Sequence, residues 1–134
     1  MLKLIYMVNK SCLFCDFKNT ERHKIILENK IFYARWDNFP VGKGHAEVVP
    51  KKHVESFFQL TKEEISQMFE FVRAVKKIID KKFKPDAYNI GINDGEEAGR
   101  TIHHLHIHVI PRYKGDVKNP RGGVRNIIPG KGDY

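Results

Sequence analysis

The stretch His103-His104-Leu105-His106-Ile107-His108-Val109-Ile110-Pro111-Arg112 decides how this chain is read. Within it His104, His106 and His108 alternate with Leu105, Ile107 and Val109, which is the two-residue repeat of a half-buried strand. A strand here projects three imidazoles from one face and three aliphatic side chains from the other, against a core. Rings in a row on one face are a poor choice for stability, since His is a modest strand former and each ring needs hydrogen-bond partners. Metal ligation, nucleophilic or acid-base work near neutral pH, and a pH switch would each explain them. A polar face open to solvent is the plain alternative. An expression tag is argued against by the internal position and the interleaved aliphatic residues.

At 134 residues, with 41% hydrophobic and 30% charged side chains, the chain has the size and composition of one globular domain. No apolar run approaches a membrane span, and Met1 to Asn9 is too short and too interrupted for a signal peptide. A cytoplasmic protein without a membrane partner is expected. The net charge of +8 favours anionic partners such as nucleotides, polyphosphates or RNA. No RRM, KH or zinc-finger signature accompanies that charge, which ranks nucleic-acid binding below the others. The two cysteines, Cys12 and Cys15, stand in C-x-x-C spacing, so both sulfurs reach one tetrahedral ion. A thioredoxin-like redox pair is the competing reading, although no βαβ unit follows directly.

Along the chain, Lys24–Glu28 and Ile31–Trp36 read as strands joined through Asn29-Lys30, and His45–Val49 reads as a third strand ended by Pro50. These form a meander. Thr61-Lys62-Glu63-Glu64 is a capping box that opens a long helix. Its expected core positions are Ile65, Met68, Phe69, Val72, Val75 and Ile79, with Lys76, Lys77 and Asp80 solvated and Pro85 as the stop. Tyr88–Asn93 returns to strand, Asp94 to Gly99 is a loop, and the histidine strand follows. From about residue 113 the chain is a basic, turn-rich tail. The expected fold is a single α+β domain over 1–134, an antiparallel meander sheet of about five strands with one long helix and an irregular C-terminal extension.

The pattern of three histidines separated by aliphatic residues resembles the motif of the histidine triad (HIT) family of nucleotide hydrolases and transferases. The likeness runs from Cys12 to about Tyr113 and points to the zinc-containing branch. It implies a structural Zn2+ held by Cys12, Cys15, His53 and His104. His103, beside the triad, is an alternative ligand that strand alternation places on the wrong face. It implies His106 as the nucleophile that forms a nucleotidyl-histidine, with His108 and His45 as its catalytic neighbours. A neutral imidazole suits that task, being unprotonated near pH 7 and a ready leaving group.

The same resemblance implies substrate contacts from Asp37 to ribose and from Asn93, Gly99 and Thr101 to phosphate. Arg100 departs from the glutamine common at that position and could hold a further phosphate, with a surface role as the equal alternative. Phe14, Phe17 and Ile31 offer an apolar wall for a base, with a core role as the plain alternative. Arg112, Lys114, Arg121 and Arg125 make the tail basic, a solvated surface or a second phosphate contact. The leading function is a nucleotide hydrolase acting at the α-phosphate of dinucleoside polyphosphates such as Ap4A, or of adenosine phosphoramidates. A phosphorylase or nucleotidyltransferase would use the same site, and a zinc-stabilised nucleotide-binding module with little turnover is the alternative from another class. The resemblance also implies a homodimer, which exposed sheet edges make physically reasonable.

Overall fold

The structure, a computed structural model, describes residues 11–134. Met1 to Asn9, read above as lacking a signal peptide, lies outside the described residues. The strands are β1 (Ile25–Glu28), β2 (Phe32–Trp36), β3 (Ala46–Pro50), β4 (Ala87–Gly91) and β5 (Ile107–Arg112), and the one long helix among the described residues is α1 (Lys62–Phe83). Every strand pair is antiparallel. The first three strands are the expected meander, but the order across the sheet is β1-β2-β3-β5-β4. The last strand therefore enters between β3 and β4.

Alternation splits the sheet into two working faces. Phe32, Ala34, Ala46, Val48, Ile107 and Val109 point to α1 and pack with its Met68, Phe71, Val72, Val75 and Ile79. Tyr33 and Val49 point the other way and meet Phe14 of the N-terminal segment. Thr61 caps α1 as its sequence predicts, accepting from Glu64 N while Glu64 reaches back to Thr61 N. The helix ends before Pro85, with Lys84 in the left-handed conformation.

Some sequence expectations are corrected. Phe69, expected in the core, is 60% exposed, and Phe71 takes the buried place. Both fit a 3.6-residue repeat, and the wide apolar stripe of α1 left the choice open. Asp80 is not a free surface charge: it accepts from the Tyr88 hydroxyl at 2.6 Å and from Lys76 at 2.7 Å, tying α1 to β4. Pro50 and Pro111 both lie inside strands. Pro111 is tolerated because the β3 ladder on β5 extends only to Val109, so no inter-strand bond on that side needs its missing N–H.

Among the described residues no helix is long and apolar enough to cross a membrane. Ile79, fully buried between α1 and the sheet, tests the core directly. Ile79→Ala should destabilise the fold by about 2–5 kcal/mol, read from chemical denaturation.

Candidate active site and metal centre

The inter-strand ladder of β5 begins only at Ile107, yet the alternation of side chains runs back to His104. Leu105, Ile107 and Val109 join the core under α1, and His104, His106 and His108 take the opposite face. Because the backbone before Ile107 is outside the ladder, the His104 carbonyl is available to a side chain. His106 Nδ1–H donates to it at 2.8 Å. A carbonyl can only accept, so the hydrogen sits on Nδ1 and the neutral ring keeps Nε2 bare. Burial lowers the His106 pKa, only partly opposed by that hydrogen bond, so the ring is neutral near pH 7.

A second chain of hydrogen bonds fixes the neighbouring rings. Val41 N–H, which can only donate, gives its hydrogen to His45 Nδ1 at 3.1 Å. His45 therefore carries its own hydrogen on Nε2, which lies 2.9 Å from His108 Nδ1 and 3.4 Å from Asp37 Oδ2. With Nδ1 accepting, His108 bears its hydrogen on Nε2. Burial is the main cause lowering the pKa of both rings, with Asp37 opposing. Gly44 makes this placement possible: its φ is +81°, and a Cβ there would stand 2.8 Å from a Phe83 ring carbon. The loop passes over the end of α1 and delivers His45 at the start of β3.

These rings line a cavity of about 330 Å³, of a size that suits a small ligand. Its wall includes Phe14, Asp37, His45, Asn93, Gly99, Thr101, His106 and His108. Asp37 is held by Phe39 N–H on Oδ1 at 2.7 Å and faces His45 with Oδ2. Several expected residues stand elsewhere. Arg100 is not in the wall: its guanidinium donates to the Glu55 carbonyl at 3.0 Å and lies 3.6 Å from the Glu55 carboxylate. Phe17 stacks on Tyr33, and Ile31 packs on the α1 side of the sheet. The tail arginines are likewise engaged within the chain, Arg112 with Asp116 and Asn89, and Arg121 and Arg125 over the Tyr134 ring.

Two wall residues were missed. Arg35 and Glu47, in register on β2 and β3, are 2% and 5% exposed and stand 3.8 Å apart. Burial first, and Asp37 next, raise the Glu47 pKa to about 7. The signal was present in the sequence as charged residues inside runs with strand character, where core-facing positions are apolar.

Cys12, Cys15, His53 and His104 converge, with their four ligand atoms all within 4.8 Å of one another. His104 Nε2–H donates to the Pro50 carbonyl at 2.8 Å, which leaves Nδ1 bare, 3.3 Å from Cys12 Sγ and 3.5 Å from Cys15 Sγ. His53 Nδ1 lies 3.3 Å from Cys15 Sγ. Sulfur–nitrogen separations of this size are the edges of a tetrahedron about an ion with Zn–S of about 2.3 Å and Zn–N of about 2.0 Å. A backbone carbonyl orienting a ring for ligation is the usual outer-shell device. His103 is exposed and outside the group, as the alternation requires. The donor set fits a closed structural zinc site with no position left for water.

An open antiparallel sheet that carries such a histidine face defines a class, and comparison with known proteins places the chain within it. The HIT domain model matches residues 18–115, and the chain belongs to the HIT family. It is 40% identical over 120 residues to an uncharacterised HIT-like protein of Methanocaldococcus jannaschii, covering 87% of this chain and 91% of that one. It is 44% identical over 77 residues to the asymmetrical bis(5'-nucleosyl)-tetraphosphatase of Schizosaccharomyces pombe, covering 58% of this chain and 42% of that protein. A zinc-bound histidine triad family protein of Mycobacterium smegmatis superposes with a TM-score of 0.72 at 31% identity, covering 79% of this chain and 78% of that one.

The buried rings give a pH dependence. His45 and His108 have folded-state pKa values below the ordinary 6.5, so under mildly acid conditions the unfolded chain binds protons that the folded chain does not. The contribution of these rings should be fully present above their ordinary pKa and be lost as pH falls through about 6.5, seen as a decreasing urea midpoint, with Glu47, raised to about 7, offsetting part of that loss.

Proposed function

We propose that the protein hydrolyses dinucleoside polyphosphates at the α-phosphate through a nucleotidyl intermediate on His106. Adenosine phosphoramidates are the second substrate class of this reading, and inorganic phosphate in place of water would make the same site a phosphorylase. The observation that carries the proposal is the bare Nε2 of His106, set by the His104 carbonyl, on a ring that lines the cavity. The tetraphosphatase name of the fission-yeast relative and the net charge of +8 also support it.

In the first step His106 Nε2 attacks phosphorus, and the bond to the bridging oxygen breaks. The electron pair leaves with the polyphosphate, a stable anion that needs no proton. His108 Nε2–H, backed by His45 and Asp37, and donors from Asn93, Gly99 and Thr101 stabilise the growing negative charge. In the second step water attacks phosphorus, the P–N bond breaks with its pair returning to Nε2, and a proton of that water goes to solvent. Asp37 accepts from ribose hydroxyls.

Zinc, when bound by Cys12, Cys15, His53 and His104, supplies a cross-link between the N-terminal segment and the histidine strand. Its chemistry is structural. β4 is an edge strand with Ile90 49% exposed, which supports pairing with a second copy in a homodimer. A cytoplasmic location is part of the same reading, since a reduced compartment keeps both thiolates available.

His106→Asn should lower turnover of Ap4A by at least about a thousand-fold and abolish the nucleotidyl-protein mass seen after rapid quenching of the wild type. Turnover undiminished in that variant would end the proposal. Zn2+ added to metal-free protein should raise the unfolding temperature, and Cys15→Ser should remove the rise, as followed by calorimetry.

A further inference from the structure

Arg35 and Glu47 are the two charged groups in the cavity wall that the chemistry at phosphorus does not use. Both are more than nine-tenths buried. Burying an ion pair is costly unless the geometry is good and the remaining polar atoms find partners. Here the closest approach of Arg35 Nη1 to Glu47 Oε1 is 3.8 Å, beyond a hydrogen bond. Arg35 Nη2 donates to the Arg22 carbonyl at 3.3 Å, and Arg35 Nε is buried with no partner. Such a group calls for an explanation.

Position supplies one. Arg35 on β2 pairs in register with Glu47 on β3, and Glu47 pairs with His108 on β5. Two strand spacings of about 4.8 Å carry the wall from the histidines to Arg35, which matches the reach of a nucleoside 5'-phosphate from phosphorus to the far edge of its base. Asp37, two residues beyond Arg35, is on the same cavity wall beside His45 and His108. The Phe14 ring joins the two ends of the wall, its centroid 4.9 Å from that of His106 and 5.4 Å from Arg35 Cζ.

Resting on the nucleotide reading above, we infer that Arg35 and Glu47 read the polar edge of the base and select guanine over adenine. A carboxylate accepts two parallel hydrogen bonds from guanine N1–H and N2–H, whereas adenine offers it only the N6 amino group. A guanidinium beside it donates to guanine O6, the preferred partner of Arg among base atoms. A base that lacks these groups leaves buried polar groups unanswered, which is how a polar site rejects an analogue.

Equilibrium titration with GMP and AMP, together with kcat/KM for Gp4G and Ap4A, tests this. GMP should bind at least ten-fold more tightly than AMP, and Gp4G should be favoured to a similar degree. Glu47→Gln should collapse both ratios toward one. Because a single change can leave the partner charge unpaired, the double variant Arg35→Leu/Glu47→Leu is measured as well. It replaces the pair with apolar volume, and its ratios should also approach one. Equal or tighter binding of AMP by the wild type, or a guanine preference that survives both variants, overturns the inference. Cleavage of both dinucleotides without base preference defeats the inference and leaves the hydrolase reading intact. A GMP preference without turnover does the reverse.

Discussion

The hydrogen bond from His106 Nδ1 to the His104 carbonyl is the constraint on which the site depends. It requires a carbonyl two residues upstream that no neighbouring strand occupies, and β5 provides this by delaying its ladder until Ile107. His104 then does two things at once. Its backbone orients the middle ring, and its side chain, aimed by the Pro50 carbonyl, turns a bare nitrogen toward Cys12 and Cys15. The bare nitrogen of His106 and the cysteine–histidine group are thus consecutive outcomes of one irregular stretch of backbone.

Around that stretch, the sheet keeps apolar and polar work apart. Leu105, Ile107 and Val109 secure β5 to α1, so the opposite face can carry groups that contribute little to cohesion. The N-terminal segment covers that face with polar ties as well as packing. Tyr33 donates to the Phe14 carbonyl at 2.6 Å, His23 reaches the Leu13 carbonyl, and Asn38 reaches the Arg22 carbonyl. Burial holds His104, His106 and His108 below the ordinary imidazole pKa, His104 down to about 4.

Much of this was legible in the sequence. The two-residue repeat of the triad, the Thr61 capping box and the C-x-x-C pair each encode a local geometry, and each appears where its chemistry requires. What could not be read was set by tertiary packing. Phe69 and Phe71 are equivalent to a helical repeat until the sheet chooses between them. Nothing near Arg100 in the chain names its partner Glu55, which only the folded loops bring to it. Arg35 and Glu47 stand out in the sequence as charges inside strand runs, but that they face one another is set only when β2 and β3 align. The insertion of β5 between β3 and β4 is a choice of topology on which residue patterns are silent.

That insertion has a consequence for how the molecule is made. The strand that bridges β3 and β4 is the last of the five to leave the ribosome, so nothing joins those two into one sheet until it arrives. The early meander and helix can associate during synthesis, while the thiol pair waits for a histidine 92 residues downstream of Cys12. Assembly therefore finishes at the histidine face, and a nascent chain interrupted before His104 lacks all three triad rings and one of the four residues of the cysteine–histidine group.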